Sequence, residues 1–168
     1  MIELYYFPTP NGRKIAIALE EMGLAYTLRT VDILNGEQHE EAFLALSPNG
    51  RIPALVDDSG DEPVRLFESG AILQYLGRKT GLFYPRREAV RCQVDTWLFW
   101  QMAHLGPMTG QITWFRRAAA KPGRDPGVTS LALHRFTKET RRLYGVLDRQ
   151  LQQREFVCDD DSIADMAI

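Results

Sequence analysis

The chain has 168 residues, 20 Lys and Arg against 22 Asp and Glu, a formal net charge of −2, and 45% hydrophobic residues. That composition excludes wholesale disorder and collagen-like repeats, and the near-neutral charge gives no footing for nucleic-acid binding. Two cysteines, Cys92 and Cys158, are too few for a disulfide framework. No basic leader opens the chain and no apolar run approaches about 18 residues, so the reading is cytoplasmic, with no membrane segment.

Ile2-Glu3-Leu4-Tyr5-Tyr6-Phe7 is a short apolar run ended by Pro8 and reads as a buried strand. Thr9-Pro10-Asn11-Gly12 breaks the chain, and Asn11 is placed to cap a helix whose apolar positions are Ile15, Ala18, Leu19 and Met22. Gly23 stops it. Tyr26, Leu28, Val31 and Ile33 suggest a second strand, and a less regular helix is expected over 40–46. Ser47-Pro48-Asn49-Gly50 is a turn cluster.

The runs 54–57 and 64–67 read as strands joined by the polar turn Asp58-Ser59-Gly60-Asp61. Ser69 is expected to cap a helix carrying Ile72, Leu73 and Leu76 and ending near Gly81. The order is βαβ-α-ββα, a mixed sheet with helices. Beyond Tyr84-Pro85 the pattern turns helical. Val90, Val94, Trp97, Leu98, Met102 and Leu105 mark one amphipathic helix, interrupted by Gly106-Pro107. A loop is expected over 121–127, and Leu143, Val146, Leu147 and Leu151 mark a further helix. Ser162-Ile163-Ala164-Asp165 has capping-box spacing just before the chain stops, which suggests a fragment or a naturally shortened chain. Two domains are expected, 1–84 and 85–168.

Three loops are candidates for chemistry. Thr9-Pro10-Asn11-Gly12 precedes a helix, whose N-terminus offers unpaired N–H groups and a positive dipole end to an anion, a thiolate included. Asn11 adds an amide and Thr9 a hydroxyl. The Ile52-Pro53 bond, if cis, would turn the Ile52 backbone outward to pair with an extended peptide; a trans bond at a strand start is the ordinary alternative. Glu68-Ser69 at a helix start can hold an ammonium and a carboxylate. Each loop alone also suits plain turn or capping chemistry. Trp97, Phe99, Trp100, Trp114 and Phe115 read mainly as core and interface packing, with a pocket lining as the alternative. His39, His104 and His134 lack metal-ligand spacing and read as structural or surface residues; no metal is expected.

Taken together, the three loops and the helical second half resemble the glutathione transferase superfamily. Tyr6-Phe7-Pro8-Thr9-Pro10-Asn11-Gly12, Leu66-Phe67-Glu68-Ser69-Gly70-Ala71-Ile72-Leu73 and Trp97-Leu98-Phe99-Trp100-Gln101 are closest to the bacterial Nu class, which includes glutathione-dependent disulfide-bond oxidoreductases. The resemblance implies a thioredoxin-like glutathione-binding domain followed by an incomplete all-helical domain. It implies glutathione as bound co-substrate, with Thr9 and Asn11 at its sulfur and Gln38 and Arg51 at its glycyl end. Ile52, before a cis Pro53, would pair with the cysteinyl backbone, and Glu68 and Ser69 would hold the γ-glutamyl end. Arg135 would reach into the partner's site of a homodimer. The implied activity is reduction of small-molecule disulfides. Conjugation of electrophiles or reduction of organic hydroperoxides is the first alternative, and a non-catalytic binding or regulatory role the second.

Overall fold

The computed structural model describes residues 1–120, 123 and 125–168. Lys121, Pro122 and Arg124, part of the expected loop, lie outside the described residues. The chain divides into two compact units, essentially Met1–Arg91 and Cys92–Met166.

In the first unit, β1 (Ile2–Tyr6) leads into α1 (Pro10–Glu21), β2 (Tyr26–Thr30) and a 3₁₀ turn, Glu37–His39. These are followed by α2 (Glu41–Leu44), β3 (Ala54–Asp57), β4 (Val64–Phe67) and α3 (Ser69–Thr80). The sheet order is β2-β1-β3-β4. β1 and β2 run parallel, as a βαβ unit requires, while β3 is antiparallel to both β1 and β4. The expected mixed sheet with helices is therefore present. Leu4 and Leu55 from the sheet are fully buried with Ile15 and Leu19 of α1 and Ile72, Leu73 and Leu76 of α3. The two helices pack against each other. Gly77 permits a close approach of the chain: a Cβ there would lie 2.5 Å from the Cβ of Tyr84.

Local boundaries differ from expectation for identifiable reasons. Thr9, not Asn11, caps α1: Pro10 takes the first helical position, where its missing N–H is harmless, and Thr9 Oγ1 accepts from the Gly12 N–H at 3.4 Å. β2 stops at Thr30, so Ile33 is not in it. The Val31 N–H still donates to the Tyr6 carbonyl at 2.9 Å. The Asp32 carboxylate then turns the chain by accepting from the Leu34 N–H at 2.9 Å. The expected 40–46 helix is shortened to the single turn of α2, Glu41–Leu44, and the 3₁₀ turn Glu37–His39 precedes it. Glu68, not Ser69, is the N-cap residue of α3, with φ 70° and ψ 115°. Gly81 ends α3 at φ 72°, as its position suggested.

The second unit contains most of α4 (Glu88–Trp100), a π turn (Gln101–Leu105), α5 (Gly106–Ala119), α6 (Pro126–Leu151) and α7 (Ile163–Ala167). Gly106-Pro107 does not break the helical path. Pro107 cannot donate to the preceding turn, and the wider π turn just before it absorbs the mismatch. Phe115 of α5 stacks on Phe136 of α6 with ring centroids 5.5 Å apart. Phe99 and Trp114 are more than half exposed, so the aromatic stretch is only partly core. The capping box of α7 forms in full: Asp165 accepts from the Ser162 N–H at 3.1 Å, and Ser162 Oγ accepts from the Ala164 N–H at 3.3 Å. Asp165 also accepts from the Val157 N–H at 2.8 Å, which ties the preceding loop to the helix.

Candidate functional site

Strand register brings the three candidate loops to one end of the sheet. Tyr5 of β1 lies opposite Ala54 of β3, and Ala54 lies opposite Phe67 of β4. The segment leaving β1 (Thr9-Pro10-Asn11), the one entering β3 (Ile52-Pro53) and the one leaving β4 (Glu68-Ser69) therefore share that end. Val31, Phe43 and Ala54 form a small buried core below it, with Tyr5, Leu46 and Ile52 packed against them.

Gly12 makes the strand-to-helix turn possible. A Cβ at Gly12 would sit 2.4 Å from the Phe7 carbonyl oxygen and 2.9 Å from the Tyr6 ring. Thr9 Oγ1 is engaged as an acceptor, which leaves its proton to donate outward. The exposed Asn11 side chain makes no hydrogen bond among the described residues, so its amide group is available. No acidic side chain occupies the first turn of α1, and its positive end is uncompensated there. One turn in, Lys14 is buried, and that burial lowers its ammonium to a pKa of about 8.

The Ile52–Pro53 bond is cis, against the trans form that residue statistics alone favour. Before it, the Gly50 N–H donates to the Ser47 carbonyl at 2.8 Å, and Ser47 Oγ donates to the Arg51 carbonyl at 2.7 Å. Gly50 has φ 60°, and a Cβ there would lie 3.4 Å from the Gln38 carbonyl oxygen. Gln38 and the Gly50-Arg51 turn therefore form one corner. Arg51 is exposed and Gln38 half-buried.

Glu68 is exposed and holds a positive φ that a non-glycine residue rarely adopts. Such strain persists where surrounding structure imposes it, and it clusters at ligand-holding sites. Ser69, the first residue of α3, is 4% exposed. Arg135 stands exposed on α6, in the other unit. Residue reading missed one local partner: His39, read as a structural or surface residue, has its Nε2 3.1 Å from Gln38 Nε2. Adjacency to Gln38 was the one available signal. Among the described residues, no group of three or more His, Cys, Asp or Glu side chains is placed to hold a metal.

A parallel-plus-antiparallel four-stranded sheet, a cis proline entering its third strand and a polar helix start after its first define a thioredoxin-like domain, and helices follow it. Residues 9–79 match the glutathione S-transferase N-terminal domain family. The chain is 47% identical to the disulfide-bond oxidoreductase YfcG of Escherichia coli, across 99% of this chain and 77% of that protein. It spans 58% of a longer Escherichia coli relative that is also named a disulfide-bond oxidoreductase. A glutathione transferase from Pseudomonas putida, with one glutathione disulfide bound per subunit, superposes with a TM-score of 0.92 at 44% identity, covering 99% of this chain and 72% of that one. Another from Burkholderia graminis, with two glutathione molecules per subunit, gives 0.92 at 42% identity, covering 99% and 69%. The chain belongs to the glutathione transferase family.

Proposed function

We propose that the chain is a glutathione-dependent disulfide-bond reductase. The observation that carries this reading is the shared sheet end, to which strand register brings the Thr9-Pro10-Asn11, Ile52-Pro53 and Glu68-Ser69 segments. Thr9 and Asn11 donate to the glutathione sulfur and hold it as thiolate. Ile52 pairs with the cysteinyl unit, Glu68 meets the α-ammonium, and Ser69 meets the α-carboxylate. Gln38 and Arg51 face the glycyl carboxylate. Arg135 acts on the partner's site in a homodimer, and the enzyme works in the cytoplasm. The first 84 residues carry glutathione, and the helices from residue 85 onward carry the wall for the second substrate.

No C-x-x-C stands at the start of α1, so the chain brings no redox pair of its own there. Both reducing thiols come from glutathione. The first thiolate attacks one sulfur of the substrate disulfide, which forms a mixed disulfide and expels one substrate thiolate. A second glutathione thiolate attacks the glutathione sulfur of that mixed disulfide. Glutathione disulfide and the second substrate thiolate leave, and two electrons have passed to the substrate. The glutathione disulfide and the glutathione pair bound by the two structural relatives support this route, since they match its product and its reactants.

A coupled assay tests it: glutathione plus a small model disulfide, with glutathione disulfide followed through glutathione reductase and NADPH. A chlorinated nitrobenzene serves as a parallel conjugation substrate. The expected outcome is strong disulfide turnover with weak conjugation. The reverse would identify a conjugating transferase, and silence in both with glutathione still bound would identify a binding protein.

A further inference from the structure

We propose that His39 is a positioning residue that orients Gln38 toward the glycyl carboxylate of glutathione; this rests on the glutathione site proposed above. The Gln38 side-chain nitrogen and the His39 ring nitrogen Nε2 are 3.1 Å apart. An amide nitrogen only donates, so the ring accepts at Nε2 and carries its proton on Nδ1. The other side-chain atom of that amide, Gln38 Oε1, is buried with no hydrogen-bond partner. Among the described residues, the hydrogen bond to His39 is therefore the one polar anchor of this side chain. It takes one of the two Nε2 protons and leaves the other to donate.

The ring is exposed, and the backbone that carries it is fixed. It ends the 3₁₀ turn Glu37–His39, whose His39 N–H donates to the Gly36 carbonyl at 2.9 Å. Its Nδ1 lies 3.5 Å from where a Cβ of Gly50 would be. Gly50 precedes Arg51, so the His39 ring stands between the Gln38 amide and the turn that carries the arginine. A glutamine has three rotatable bonds, and fixing it at an interface costs binding free energy. The His39 ring reduces that cost before the ligand arrives. The ligand feature it serves is a carboxylate, the acceptor that suits a free amide N–H beside a guanidinium.

Isothermal titration of the full chain with glutathione and with γ-glutamylcysteine, which lacks the glycyl unit, separates this role from a general one. His39→Phe is expected to raise the glutathione Kd about three- to tenfold, in keeping with one lost neutral hydrogen bond and one less ordered side chain. It should leave the γ-glutamylcysteine Kd unchanged. His39→Gln, which keeps an acceptor at a similar reach, should recover most of the loss. The double variant His39→Phe with Gln38→Ala should bind glutathione no more weakly than Gln38→Ala alone. Equal glutathione affinity in wild type and His39→Phe would overturn the proposal while leaving the glutathione site intact. Equal weakening toward both ligands would overturn it too, by assigning His39 a general structural role. A wild type that binds no glutathione would overturn the proposed site, and this role with it.

Discussion

The hydroxyl of Thr9 does two things because it has both a proton and lone pairs. Its oxygen accepts from the Gly12 N–H and caps α1, so the proton is directed away from the helix. Asn11 sits one position inside Pro10 with its amide unengaged among the described residues. A hydrogen bond to a charged atom contributes roughly 1.5–3 kcal/mol, so losing one donor to a thiolate costs roughly 10- to 150-fold in a step that needs the thiolate. Asn11→Ala should therefore lower disulfide turnover by about that factor while glutathione still binds. Steady-state turnover and titration of glutathione on the same preparation check it. Unchanged turnover would remove Asn11 from the chemistry. Since the cap is Thr9, Asn11→Ala should leave the melting temperature nearly unmoved, which separates a lost donor from a damaged helix.

Between elements, Asp57 ties β3 to α3. It is 1% exposed, and it accepts from Ser59 Oγ at 2.6 Å, Tyr75 Oη at 2.7 Å and Lys79 Nζ at 2.9 Å. Burial pushes the carboxyl up, but the hydrogen bonds from Ser59, Lys79 and Tyr75 outweigh it and hold Asp57 well below the usual carboxylate range. Burial and the Asp57 hydrogen bond in turn raise the Tyr75 phenol to about 12. A carboxyl whose folded pKa lies below its unfolded value stabilises the fold above the unfolded value, near 4. That stability is lost as pH falls from there toward the folded value. Asp57→Asn should cost about 2–4 kcal/mol at neutral pH, because it removes a buried ionic anchor and leaves Lys79 with the Ser59 hydroxyl but no carboxylate. The gap between variant and wild type should narrow below pH 4, as read by urea unfolding across pH; a gap independent of pH would overturn the electrostatic account. None of this was legible in the sequence, because Asp57, Tyr75 and Lys79 meet only once β3 lies beside α3. What was legible is local. Strands β3 and β4 were expected at the bounds found, since two short apolar runs flank a polar turn. The α7 capping box was visible because its partners are three residues apart. The N-cap of α1 was misplaced by two residues, as Asn11 and Thr9 are equally good caps until Pro10 is recognised as the first helical residue. The candidate loops were visible as motifs, and their juxtaposition at one sheet end depended on strand register.

At the scale of the whole molecule, the proposed glutathione site lies in the first unit, and the proposed dimer brings it an arginine from the partner subunit. Thr9, Asn11, Ile52, Glu68 and Ser69 belong to the first, and Arg135 belongs to the second. A cyclic two-fold dimer, the commonest homo-oligomer, presents the same patch from each subunit, so an arginine that serves its neighbour's ligand does so twice. That geometry makes a prediction an intramolecular arginine does not. Asn11→Ala lacks the sulfur donor in its own site, and Arg135→Ala lacks the cation it would give to its partner. When the two variants are unfolded together and refolded in equal amounts, half the dimers are mixed. In each mixed dimer one site has both defects and the other has neither, because the intact Asn11 of one chain meets the intact Arg135 of the other. Assayed at glutathione well below the raised KM of Arg135→Ala, where both variants alone are slow, the mixture should then recover about a quarter of wild-type turnover, well above the mean of the two variants refolded separately. An arginine acting within its own chain leaves every site of the mixed dimer with one defect, and turnover would equal that mean. Sedimentation of Arg135→Ala alone should still show the dimer, since one exposed side chain is lost, and its glutathione KM should rise. An unaltered KM would remove Arg135 from the site altogether.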